Sequence, residues 1–268
     1  MSPAYSAWVE KRFIAEGPED LVLGYTRKSP YLVVTGATAR TVFTPERPEA
    51  SELQLDMGVR VPVIADWPAG TPVNGQHPYT AHVIELPERA GDGTLRFTPA
   101  LLPRTSDTSA DYLPLSRANL LRQGFKFLGE RYGWGHSYNA RDCSGFVSDV
   151  YRSFGVELPR NTRDQAVTPA LDRITFTAAD DHARRLAVLR TVQIGDLIYI
   201  PGHVMMVIGH ENRMPYVIHD TTGISYLDGT GQVARLVLNG VSVTPLTPLL
   251  FARQPLVEHI TSILRVRP

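Results

Sequence analysis

One cysteine is all that 268 residues contain, which excludes an internal disulfide and any multi-cysteine metal site. An excess of charge of either sign is also missing: 27 Lys and Arg balance 27 Asp and Glu. A balanced chain has no overall field to draw nucleic acid or an anionic polymer, so no nucleic-acid partner is expected. No apolar run approaches the roughly 20 residues that cross a bilayer, so no membrane span is expected. The opening MSPAYSAWVEKRF lacks the basic-then-apolar pattern of a secretory leader. Neither a His-Glu-x-x-His pair nor a phosphate-cradling glycine loop occurs, so no metal and no cofactor are expected.

What is present is the composition of an ordinary globular protein, 43% hydrophobic and 20% charged, long enough for one large or two modest domains. Residues 31–35, 41–44 and 59–63 are short, β-branched runs punctuated by Pro and Gly. They predict a small all-β barrel of SH3-like kind over residues 29–110. Residues 1–28 are expected to be the tail of a preceding SH3-like domain or an N-terminal extension. A polar stretch, 104–111, marks the linker to a second domain over 111–268.

That second domain opens with a helical pattern. Ser116 is a cap for a helix carrying Leu120, Leu121, Phe125 and Leu128, expected to end near Gly133. A second helix is expected from about Cys143 to Phe154, with Val147, Val150, Tyr151 and Phe154 on one stripe and Gly155 as its stop. From Gly195 the pattern changes to strands at 197–200, 204–208 and 216–218, with Pro201-Gly202 making the first turn. Helices first, then an antiparallel sheet, is an α+β arrangement.

The single cysteine falls where chemistry is favoured. With Asp142 as N-cap, Cys143 occupies the first helical turn, where the helix dipole is expected to lower the thiol pKa. Free backbone N–H groups in that turn can hold an oxyanion. A thiolate needs a base, and the base needs an orienter. His203 heads the strand after Pro201-Gly202. His219, expected at the end of the next strand, can reach across to it. Asp220 competes as orienter, but strand alternation turns it away from His219. The order Cys, His, polar residue is that of papain-like enzymes. His210 is expected in a solvated turn, and residues 160–163 form a basic turn that is either solvated or on the cleft rim.

Residues 132–135 (YGWG), 141–146 (RDCSGF), 154–160 (FGVELPR), 195–197 (GDL), 202–204 (GHV) and 217–219 (VIH) together resemble the NlpC-type cell-wall peptidase family over about residues 116–225. Residues 55–62 are similar to the SH3-like domains that precede this domain in some members. The resemblance implies a minimal papain-like α+β fold and a cysteine endopeptidase acting on peptidoglycan stem peptides, commonly between γ-D-glutamate and a diamino acid such as meso-diaminopimelate. It places the triad on Cys143, His203 and His219, with the Tyr132 hydroxyl aiding the oxyanion. Asp142, Ser144, Trp134 and Gly202 become substrate-binding, with Asp142 taking a substrate amine. His136 departs from the family pattern, which often has a second glycine there; a solvated loop histidine is the simplest account.

Two alternatives stay open: an amidase or acyltransferase on the same scaffold, and an inert wall-binding module. Stem peptides or muropeptides are the expected partners of a monomer. Wall chemistry implies a bacterial envelope enzyme, periplasmic or secreted, if a leader has been removed, or a cytoplasmic recycling enzyme.

Overall fold

Two of the three β-branched runs, 31–35 and 59–63, become strands, each too short to bury a core alone, whereas 41–44 lies outside any strand. The computed structural model describes residues 8–169 and 172–266, and the chain divides into two units between Leu113 and Pro114. In the first unit a helix, α1 (Glu19–Arg27), precedes β1 (Tyr31–Val34), β2 (Thr38–Arg40), β3 (Gln54–Asp56), β4 (Arg60–Pro62), β5 (Ala81–Arg89), β6 (Leu95–Pro103) and β7 (Thr108–Ser109). They form a three-stranded sheet, β4-β1-β7, and two antiparallel pairs, β2-β3 and β5-β6. Leu32, Val34, Leu55, Val61, Ile84 and Leu102 supply a shared core.

The segment before residue 29 is not separate from this unit. Tyr25 of α1 stacks on Phe97 of β6 at 4.8 Å, and its hydroxyl donates to the Glu85 carbonyl at 2.9 Å. Residues 1–7 of the expected tail or extension lie outside the described residues.

The second unit begins with α2 (Arg117–Phe125), whose cap Ser116 accepts the Asn119 N–H at 3.3 Å. This helix ends at Phe125, earlier than the expected Gly133. Backbone pairing explains the early stop: Gly129 N–H bonds to Val241, Glu130 accepts from Val241 N–H and Tyr132 N–H bonds to Asn239, all within 3.0 Å. Those bonds take the chain out of helical geometry, and Gly129 turns it at φ +83°.

Next come α3 (Cys143–Arg152), α4 (Thr162–Gln165), β8 (Asp172–Thr175), α5 (His182–Leu189), β9 (Leu197–Ile200) and β10 (His203–Glu211). The chain closes with β11 (Met214–Leu227), β12 (Val233–Pro245), β13 (Leu249–Phe251), β14 (Gln254–Pro255) and β15 (Ser262–Arg265). The strands form one antiparallel sheet in the order β14-β13-β11-β10-β9-β15-β8, with β12 also paired to β11.

Helices α2 and α3 cover one face of this sheet; Gly124 of α2 lies so near that a β-carbon would stand 2.8 Å from Met206 Cε. The other face carries Ile198, Met205, Val207, Val217, Leu256 and Ile263. Strand β11 is far longer than the apolar run 216–218 suggested. Its polar continuation still pairs with β12, His219 opposite Ser242 and Ser225 opposite Arg235, so His219 is mid-strand rather than terminal. Strand β10 likewise runs to Glu211, which puts His210 in the strand and not in a turn, with Nε2 3.2 Å from the Leu189 carbonyl. The turn falls on Asn212 and Arg213, both at positive φ.

Candidate active site

The start of α3 is held from several sides. Asp142 caps it, Oδ1 accepting from Gly145 N–H at 2.8 Å. Arg141, 2% exposed, donates to Asp149 at 2.9 Å and to Glu130 at 2.8 Å. That buried cation ties the residue before the cap to the helix it precedes. Cys143 is 7% exposed, and its sulfur lies 3.9 Å from the Gly202 carbonyl at the β9–β10 turn.

The expected lowering of the thiol pKa is not what this environment produces. Burial pushes the Cys143 thiol up to about 11, and the charges of Asp142 and Asp220 add to that. The backbone N–H groups of Val204 and Ser144 pull the other way without prevailing. A helix N-terminus stabilises a thiolate only as far as desolvation allows, and here desolvation wins. The resting group is a thiol.

His203 and His219 form a hydrogen-bonded pair across adjacent strands. His203 Nε2 lies 2.8 Å from His219 Nδ1. The other nitrogen of His219, Nε2, lies 3.0 Å from Thr244 Oγ1 of β12. His203 keeps part of its surface open to the cleft, yet its walls are protein, and burial brings its pKa down to about 4. Burial and the neighbouring His203 hold His219 well below the ordinary value. Both rings are therefore neutral at neutral pH.

A cleft of about 550 Å³ opens over this pair. Tyr132, Trp134, Gly202, His203 and His219 all line it, so five of the eight residues picked from sequence meet in one place. Burial, then the charges of Cys143, Asp142 and Asp220, push Tyr132 up to about 12, which keeps its hydroxyl a proton donor. Gly202 adopts φ +79° at the turn, a conformation only glycine takes without strain.

Asp142 and Ser144 stand elsewhere. Both are buried beside Cys143, and none of the three is among the described residues lining that cleft. Arg160 grips the Asp142 carboxylate at 2.7 and 3.2 Å and Ser144 Oγ at 2.9 Å, while Gly135 N–H donates to Asp142 Oδ2 at 3.1 Å. Burial alone would raise the Asp142 carboxyl; Arg160 and the Gly145 N–H outweigh it and hold it below the ordinary value. The oxygens expected to take a substrate amine are thus already occupied by a cation. His136 sits at φ +65°, where glycine is favoured, and its Nε2 lies 2.3 Å from where a β-carbon on Gly145 would be.

Sequence does not single out Thr244, leaves Arg160 between a solvated turn and the cleft rim, and considers Asp220 only as a competing orienter. Thr244 is two positions past the strand partner of His219, a register that only the fold sets. Asp220 is fully buried, and neither carboxylate oxygen has a hydrogen-bond partner among the described residues. Burial, then the charges of Glu130 and Asp142, raise its pKa to about 8 against the opposing pull of Arg141.

Residues 129–239 match the model of the NlpC/P60 family, whose members are cysteine peptidases. That stretch holds both Cys143 and the His203–His219 pair. The chain is 26% identical over 222 residues to a gamma-D-glutamyl-L-lysine dipeptidyl-peptidase of Bacillus cereus, an alignment covering 78% of this chain and 56% of that relative. Among solved structures, an NlpC/P60 endopeptidase from Photobacterium damselae subsp. piscicida superposes with a TM-score of 0.68 at 15% identity, over 92% of this chain and 55% of that one. An NlpC/P60 family protein from Bacillus cereus superposes with a TM-score of 0.57 at 20% identity, over 92% and 67%. The chain therefore spans little more than half the length of the first two relatives. The match to the NlpC/P60 model falls within the second unit, whose papain-like α+β fold is the one these solved structures share.

Proposed function

We propose that this protein, whose residues 129–239 match the NlpC/P60 family model, is a cysteine endopeptidase cleaving peptidoglycan stem peptides at the γ-D-glutamyl bond to a diamino acid, meso-diaminopimelate foremost. The observation that carries the reading is the meeting of the His203–His219 pair, Gly202 and Tyr132 at one cleft, with the Cys143 sulfur 3.9 Å from the Gly202 carbonyl.

His203 uses Nε2 toward His219, which leaves Nδ1 for the thiol. For Nδ1 to accept a proton it must start bare, so Nε2 carries the hydrogen and donates it to His219 Nδ1. His219 then holds its own hydrogen on Nε2 and donates it to Thr244 Oγ1. The resting pair is neutral thiol and neutral imidazole, in keeping with the shifts at Cys143 and His203. As sulfur attacks the scissile carbonyl, the S–H proton passes to His203 Nδ1 and an S–C bond forms. The oxyanion receives hydrogen bonds from backbone N–H groups at the start of α3 and from the Tyr132 hydroxyl. The C–N bond breaks, His203 returns its proton to the departing amine, and water, deprotonated by the same ring, hydrolyses the thioester.

In this reading Asp142 and Ser144 shape the acyl side of the site through Arg160, and Trp134 and Gly202 form the rim. The first unit is read as an SH3-like barrel, and the wall substrate implies work in a bacterial envelope or in recycling its fragments.

The test is product mass analysis with L-Ala-γ-D-Glu-meso-diaminopimelate. Release of L-Ala-γ-D-Glu supports the assignment. Cleavage of a different acyl bond moves the protein to an amidase or acyltransferase on the same scaffold, and no turnover of this or longer stems contradicts a peptidase.

A further inference from the structure

The cleft continues well past the histidine pair, and its far part has a definite chemistry. Strand β11 carries it from His219 through Thr221 to Ser225, and β12 brings Arg235 directly opposite Ser225. Leu250 and Phe251 of β13 close the end with an apolar wall.

Among the described residues no aspartate or glutamate lines the cleft, and both its histidines are neutral at neutral pH. Arg235 is the one described lining residue with a permanent charge. Arg235 is exposed and makes no ion pair among the described residues. Arg160, by contrast, is committed to Asp142. A guanidinium facing a cleft without acids is matched to a carboxylate, which its planar fork can take in two hydrogen bonds.

Position says which part of a substrate would meet it. His203 must deliver a proton to the leaving amine, so the leaving segment lies on the His203–His219 side, over β11. Six residues separate His219 from Ser225, which at strand rise is about 20 Å. Even with the long arginine side chain reaching back, the guanidinium stands beyond the backbone of the first residue after the scissile bond.

Resting on the peptidase reading above, we propose that the β11–β12–β13 end of the cleft is the leaving-segment subsite and that Arg235 binds a carboxylate there. That carboxylate belongs to a group remote from the reacting carbonyl: the far end of a diaminopimelate side chain, or the C-terminus of a stem extended by D-alanine. Lysine, which ends in an ammonium, is disfavoured in either case.

The experiment measures kcat and KM for L-Ala-γ-D-Glu-meso-diaminopimelate, its D-alanyl tetrapeptide, the C-terminal amides of both, and the tripeptide with lysine in place of the diamino acid. The native protein is expected to favour the carboxylate-bearing member of a pair by about tenfold, mostly through KM. A diaminopimelate-over-lysine preference identifies the side-chain carboxylate; an acid-over-amide preference identifies the C-terminus. Arg235→Gln should lower kcat/KM on the favoured substrate about tenfold and bring the ratio near one, while Arg235→Lys should keep part of it. Cleavage by the native protein without either preference, or a preference that survives Arg235→Gln, would overturn the proposal and leave the peptidase reading standing. Failure of the native protein to cleave any of the five peptides contradicts the peptidase reading itself, and the subsite with it.

Discussion

Thr244 Oγ1 lies 3.0 Å from His219 Nε2, on the opposite side of the imidazole from His203. With His219 Nε2–H donating to that hydroxyl, Nδ1 is left bare to accept from His203 Nε2, and His203 Nδ1 is free to act as base.

Thr244→Val keeps the shape of the side chain but removes the acceptor. It should lower kcat about tenfold, the worth of one buried hydrogen bond, with KM little changed. Thr244→Ser, which keeps the hydroxyl, should recover most of the loss. Equal activity of the valine and serine variants would show that Thr244 only packs.

The buried thiol and neutral imidazole make a definite pH statement. With Cys143 near 11 and His203 near 4, kcat/KM should stay flat from about pH 6 to 8. It should fall as pH drops toward 4, because a protonated His203 cannot accept the thiol proton. Iodoacetamide, which needs thiolate, should alkylate Cys143 at pH 7 more than about tenfold slower than free cysteine. Rapid alkylation with a midpoint below pH 7 would mean a preformed thiolate–imidazolium pair instead.

Asp220 should cost stability as pH rises. Its carboxyl titrates near 8 folded against an ordinary 3.8, so its favourable contribution is complete below 3.8 and is lost as pH climbs to about 8. Asp220→Asn removes the titration. Its melting temperature should exceed that of the native protein by about 5 °C at pH 8, with little difference at pH 4. A gain that does not grow with pH would place an unrecognised partner on the carboxylate.

Asp142 separates capping from substrate recognition. Asp142→Ala removes the α3 cap, at about 1 kcal/mol, and strands Arg160. Because its oxygens are already paired, activity should fall to the same degree on a tripeptide with a free amino end and on its N-acetyl form. A loss confined to the free amine would restore Asp142 as the amine's binding group.

Much of this was legible from local patterns. The Asp142 cap, the first-turn Cys143 and the Pro201-Gly202 turn before His203 depend on residues adjacent in sequence, and each stands where expected. What was not legible depends on distant segments or on burial. Strand β11 was read too short because residues 219–222 are polar, and only pairing with β12 keeps them in the sheet. The early end of α2 follows from backbone bonds to residues 239–241. Thr244 joins the histidine pair through strand register, and Arg160 reaches Asp142 across a loop. The direction of the Cys143 shift reversed because helix position favours thiolate while burial, unseen in sequence, disfavours it more.

The central claim is that Cys143 is acylated. The direct measurement is rapid acid quench of the native protein with L-Ala-γ-D-Glu-meso-diaminopimelate, followed by intact mass and peptide mapping. The account predicts an L-Ala-γ-D-Glu acyl adduct on the peptide containing Cys143, and neither adduct nor product with Cys143→Ala. Product formation by the Cys143→Ala variant, or an adduct on another residue, would contradict it.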